Sequence, residues 1–103
     1  MKRPIRWTEP ARLDLHRILA WLEQSIGREQ ALAEARQILS GCTQLQTRSR
    51  LGTPVGRKST GGKDIRCLAM APHHFHYALT EEEVVILRIR HSGEDPDQLV
   101  EMP

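Results

Sequence analysis

The sequence predicts an α+β two-layer domain built from an N-terminal strand, an antiparallel helical hairpin and a three-stranded antiparallel meander. Three observations carry this prediction. Apolar residues recur every three or four positions from Ala11 to Leu45, with a break at Gly27. Three runs of strand-forming character then occupy Lys63–His91. Two amphipathic helices need a common apolar surface, and a meander with one apolar face supplies it.

The first strand is expected over Lys2–Trp7, where Ile5 and Trp7 alternate with Pro4 and Arg6. Pro4 suits an edge or a strand start, because it has no N–H to donate to a ladder. Thr8 is the expected N-cap of the next helix, with Glu9 at the positive end of its dipole and Pro10 in its first turn. Ala11, Leu15, Ile18, Leu22 and Ile26 make its apolar stripe, while Arg12, Asp14, Arg17 and Glu23 fall on the polar side. Trp21 lies beside the stripe, at the rim of the core. The helix is expected over Glu9–Ser25 and ends at Gly27, a favourable residue for a helix terminus.

A second helix is expected over Arg28–Thr47, with Ala31, Ala35, Ile38, Cys42 and Leu45 as its apolar set. The short turn at Gly27 makes the pair an antiparallel hairpin. Gly41 lowers helix propensity by about 1 kcal/mol relative to Ala, so a close approach of the two helices is the expected reason for it. Arg48–Gly62 reads as a loop, marked by Gly52, Pro54, Gly56, Gly61 and Gly62.

The meander strands are expected over Lys63–Met70, His74–Thr80 and Glu83–His91, with tight turns at Pro72-His73 and Glu81-Glu82. Glu83–His91 is the strongest of the three and an interior strand. Strict alternation puts Val85, Leu87 and Ile89 under the helices, and Val84, Ile86, Arg88 and Arg90 on the other face. Asp95-Pro96 is expected to start a last helical turn holding Leu99 and Val100.

One domain fills residues 1–103, since a chain of this length supports one modest core. Hydrophobic content of 39% and charged content of 27% describe a globular protein, and no targeting or membrane-spanning run appears, so a cytoplasmic protein is expected. The net charge of +2 is too small to imply nucleic-acid binding, yet it is unevenly spread. Arg48, Arg50, Arg57, Lys58, Lys63 and Arg66 make a basic middle, and Glu94, Asp95, Asp97 and Glu101 an acidic tail. Cys42 and Cys67 sit in apolar patterns without metal-type spacing and are expected to be buried, reduced thiols.

Period-two counting places Arg66, His74, His76, Arg88 and Arg90 on the sheet face away from the helices. Such a face suits an acidic partner, such as RNA phosphates or protein carboxylates; a plain solvated sheet face is the alternative. Arg57 is a loop candidate for a phosphate or partner contact. His73, His74, His76 and His91 raise the question of a metal. Within one strand His74 and His76 share a face while His73 points away, and no Cys or Asp supports them, so neither a metal site nor a cofactor is expected.

The order of these pieces resembles the RelE/ParE superfamily of toxins from bacterial type II toxin–antitoxin systems. The matching segments are the first strand running into Trp7-Thr8-Glu9-Pro10-Ala11-Arg12-Leu13-Asp14-Leu15, the loop Gly52-Thr53-Pro54-Val55-Gly56-Arg57, then Asp64-Ile65-Arg66, the Tyr77 strand and Val84–His91. The resemblance implies a cognate antitoxin that folds around the domain, as a homodimer or a hetero-oligomer with the antitoxin. It implies one of two activities. A ParE-like toxin acts on DNA gyrase without being an enzyme; a RelE-like toxin cuts mRNA on the ribosome with a cluster of Lys and Arg, commonly with a Tyr near the C-terminus. This chain has His74 where RelE-like enzymes often carry Arg, acidic Glu94-Asp95 beyond its last strand and no Tyr after Tyr77.

The ParE-like reading is therefore favoured, with Arg57, Arg66, His74, His76, Arg88, Arg90 and His91 as partner-binding residues. In the nuclease alternative, His74 and His91 serve proton transfer and Arg66 and Arg88 stabilise charge. Glu94 stands where ParE-like chains usually have Arg, which keeps open a third reading, an orphan member of low toxicity.

Overall fold

A computed structural model describes residues 2–55, 64–70 and 73–91. Strand β1 (Ile5–Trp7) leads into helices α1 (Glu9–Ile26) and α2 (Arg28–Gln44), followed by β2 (Thr53–Pro54), β3 (Asp64–Met70), β4 (His73–Leu79) and β5 (Val84–His91). The sheet order is β1-β5-β4-β3-β2, with β1 parallel to β5 and all other neighbours antiparallel. The expected α+β order holds, and β5 is interior as predicted. Four strands follow the helices, however, rather than three. The addition is β2, two residues within the expected loop that pair with Cys67 and Arg66. Pro54 is tolerated there because β2 is the outermost strand.

Thr8 starts α1 as expected: its hydroxyl accepts from the Ala11 N–H at 3.3 Å and donates to Ile86 O at 2.9 Å. One residue thus caps the helix and fastens it to β5. Gly27 adopts φ +94°, a conformation costly for residues with a Cβ, and joins the two helices without intervening chain. The reason for Gly41 differs from the expected helix–helix approach. A Cβ at Gly41 would meet Met70 Sδ at 2.5 Å and Phe75 Cε2 at 3.2 Å, so the glycine lets α2 lie close on the sheet.

The main core joins Ala11, Ile18 and Leu22 of α1, Ile38 and Cys42 of α2, and Phe75, Tyr77, Val84, Ile86 and Ile89 of the sheet, among others. Val84 and Ile86, not Val85 and Leu87, therefore face the helices. Tyr77 pairs with Ile86 while His76 pairs with Arg88, so Leu87 has no cross-strand partner. This bulge shifts the alternation by one residue and returns Ile89 to the core. Val85 and Leu87 instead join a small apolar cluster with Val55, Ile65 and Ala78.

Two further expectations change. His73, expected in a turn, pairs with Met70 as the first residue of β4. Cys42 is buried as predicted, but Cys67 is only half-buried; both are free thiols. The Glu81-Glu82 turn forms, closed by the Thr80 hydroxyl accepting from the Glu82 and Glu83 N–H groups. The predicted helical turn after Asp95-Pro96 lies outside the described residues. No described helix is long and apolar enough to cross a membrane.

Candidate functional site

The face of the sheet away from the helices divides along β5. One end carries the small cluster of Val55, Ile65, Ala78, Val85 and Leu87. At the other end the ladder pairs His76 with Arg88 and His74 with Arg90. The bulge makes this division: it leaves the apolar residues together and sets the Arg residues opposite the histidines. Burial and the charges of Arg90, His74 and Arg88 hold His76 below the ordinary histidine pKa, so it is a neutral imidazole at pH 7. Burial raises the Cys67 thiol, and nearby Arg90 partly offsets this. His76 Nδ1 and Arg90 Nε are buried without a hydrogen-bond partner among the described residues. His74, His76 and Arg90 thus form the part of the predicted cationic face that the fold assembles.

Arg88 belongs to that row but has an internal partner. Its Nε and Nη2 donate to the Asp14 carboxylate at 2.6 and 2.8 Å. Asp14 also accepts from the Ile89 N–H at 3.0 Å and from Arg17 at 3.0 Å, and only 2% of the residue is exposed. Asp14 therefore sits in the buried stripe of α1, not on its polar side. Burial by itself raises its carboxyl pKa, but hydrogen bonds from Arg88, Ile89 and Arg17 outweigh it and bring it below the ordinary value. The same Asp14 bond raises the pKa of Arg88. The sequence held a signal for this network, since Asp14 lies three residues after Ala11 and four before Ile18.

Arg66 does not join the cationic face. It pairs with Tyr77, a core residue of the helix side. Its guanidinium donates to Arg50 O, Gly52 O and Asp64. Beside it the Tyr77 hydroxyl donates to Ser49 O at 2.7 Å and accepts from the Gly52 N–H at 2.9 Å. These bonds fasten the chain entering β2 onto the sheet. Arg57, Lys58, Lys63, Glu94 and Asp95 lie outside the described residues.

His91 falls on the helix side, opposite His73 in the ladder. The two imidazoles meet edge to face with centroids 5.1 Å apart, and Trp21 stands edge-on to His91 at 4.9 Å. Trp21 is 40% exposed, which agrees with the expected rim position. From α2, Glu34 Oε1 approaches His73 Nε2 to 3.9 Å. Ligand-type atoms of Glu34, His73 and His91 lie within 4.8 Å of one another. His73 also borders a cleft of about 400 Å³ lined by Arg36, Gln37, Ser40, Met70 and Phe75. The predicted orientation of His73, away from His74 and His76, holds. What the strand pattern did not disclose was which groups meet it on the helix side.

The β1–helical hairpin–β2–β5 architecture is that of the RelE/ParE toxin superfamily. A family model described as ParE toxin of type II toxin-antitoxin system, parDE, matches residues 5–96, and the chain belongs to that family. Among solved structures, the chain is similar to one from a chromosomal ParDE toxin–antitoxin system of Pseudomonas aeruginosa. The TM-score is 0.72 at 26% identity, covering 87% of this chain and 96% of the other. It also shares its fold with a chain of the RelBE2 toxin–antitoxin complex of Mycobacterium tuberculosis. There the TM-score is 0.62 at 22% identity, covering 88% of this chain and 99% of the other. No curated protein sequence matches the chain.

Proposed function

We propose that this protein is a ParE-like toxin that inhibits DNA gyrase by binding it and is neutralised by a cognate antitoxin in the cytoplasm. The observation that supports binding over RNA cleavage is the dispersal of the nuclease set. RNA cleavage needs an acid, a base and a charge stabiliser converging on one phosphate. Here His74 and His91 occupy opposite faces of the sheet, Arg88 is bound to Asp14, and Arg66 is held by Asp64 and the chain at Arg50–Gly52. The sheet thus separates the two histidines, and both arginines are already engaged within the fold. Arg90, with the imidazoles of His74 and His76 on the same face as hydrogen-bonding groups, suits recognition of acidic groups on a protein partner.

The helices offer the antitoxin a surface. Leu32 and Leu39 lie two turns apart on α2, 46% and 50% exposed, and Leu13 and Ile26 are exposed on α1. A segment folding on this surface would cover apolar side chains that otherwise face water. The deciding experiment induces the protein in bacteria and follows DNA supercoiling, DNA cleavage and mRNA integrity separately. Gyrase inhibition with intact mRNA is the expected result. Rapid mRNA cutting at codon-defined positions, with supercoiling normal, would overturn the proposal.

A further inference from the structure

We propose that Glu34, His73 and His91 form a binding site for a divalent transition metal of the zinc type. Three elements contribute one ligand each: α2, β4 and β5. Two imidazoles and one carboxylate are an established donor set for zinc, leaving a fourth position for water or an incoming ligand. The site is distinct from the His74–His76–Arg90 row, which lies across the sheet.

Two observations point to an ion. The first is chemical. His73 is 2% exposed, yet among the described residues neither ring nitrogen has a hydrogen-bond partner, and Glu34 Oε2 is likewise buried without one. Buried polar atoms are nearly always satisfied, and a metal would engage an imidazole and this carboxylate together. The second is geometric. Ligands about 2.0–2.2 Å from a tetrahedral ion stand roughly 3.3–3.6 Å apart. The 3.9 Å approach of His73 to Glu34, and the 4.8 Å limit for the group, need only a small closing movement of side chains.

The ligand type separates zinc from harder ions. Magnesium and calcium prefer sites built of oxygen, whereas imidazole favours zinc, nickel and copper. A bound ion would join α2 to the far ends of β4 and β5.

The test uses the full chain, treated with a chelator and then desalted. Calorimetric titration with Zn²⁺ at pH 7.5 is expected to show one ion per chain, and Mg²⁺ none. Glu34→Gln and His91→Ala should each weaken Zn²⁺ binding about tenfold or more. These variants are preferred because His73→Ala risks misfolding at a buried position. A His74→Ala/His76→Ala double variant should bind Zn²⁺ as tightly as the original chain. Trp21 supplies an independent reading of location, because it touches His91. One equivalent of Cu²⁺ should quench its fluorescence, and Trp21→Phe should remove most of that quench. Absence of Zn²⁺ binding, binding undiminished in Glu34→Gln and His91→Ala, or binding lost in the His74/His76 variant would each overturn the proposal.

Discussion

Replacing Asp14 with Ala tests the fold where helix, strand and bulge meet. The substitution removes one acceptor group that serves Arg88 twice, the Ile89 N–H and Arg17. Breaking one partner of a buried ion pair typically costs about 3–5 kcal/mol. Arg88 keeps 14% of its side chain exposed and regains some hydration, which favours the lower end, about 3 kcal/mol. For a domain of this size that lowers Tm by about 12–24 °C. Asp14→Asn retains one acceptor but turns an amide toward the arginines, and a cost of about 2 kcal/mol is expected. An Asp14→Ala/Arg88→Met double variant should lose at least about 1 kcal/mol less than the two single losses added together.

The same network predicts a pH dependence. A carboxyl whose folded pKa is depressed adds stability above its unfolded pKa, near 3.9, and this is lost as pH falls through the folded value. Asp14→Asn should lack that portion of the acid sensitivity. Urea unfolding at pH 7, repeated in steps towards pH 3, measures every quantity. An Asp14→Ala cost under about 1 kcal/mol, or strict additivity in the double variant, would refute the assignment of Asp14 as the clasp on the bulge.

Three other outcomes follow from the packing. Tyr77→Phe leaves Ser49 O and the Gly52 N–H without their shared hydroxyl and should cost about 1–3 kcal/mol, measured by urea unfolding. Gly41→Ala should destabilise by about 1–2 kcal/mol despite better helix propensity, because buried Phe75 cannot yield as easily as the Met70 side chain; a neutral or stabilising result would discount the close α2–sheet approach. Thiol labelling of the native protein should modify Cys67 well before Cys42, whose burial raises its pKa to about 12, and equal rates would contradict that difference.

The helices were legible because their evidence is local. Thr8, Gly27 and the apolar spacing between them belong to one stretch of chain, so α1 and α2 stand within a few residues of their expected limits. The short β2 was hidden by Gly52, Pro54 and Gly56, which signal a loop whether or not two residues pair at a sheet edge. The bulge was hidden for a different reason. Val84 through Ile89 are apolar except for Arg88, so nothing in the run itself shows where alternation slips; the slip is set by pairing with β4 and by the Asp14 carboxylate taking the Ile89 N–H.

Asp14 and Glu34 share a feature that explains why the site was only half legible. Asp14 interrupts the stripe between Ala11 and Ile18, and Glu34 occupies the matching place between Ala31 and Ile38, each three residues after one buried position and four before the next. Helical geometry directs both acids toward the sheet. An acid in that position must find a compensating group, because an unpaired buried carboxylate is costly. Asp14 finds Arg88 and Arg17, together with a backbone N–H, and its buried residue is fully engaged. Glu34 approaches His73 only to 3.9 Å and retains a buried oxygen without a hydrogen-bond partner among the described residues. Two acids in equivalent helical positions thus reach different ends, one closed by arginine and one facing a pair of imidazoles. The spacing discloses that each needs a partner, while the partner's identity depends on which strand residues the fold sets opposite. That difference makes the Asp14 cluster a structural clasp and the Glu34 cluster a receptive site.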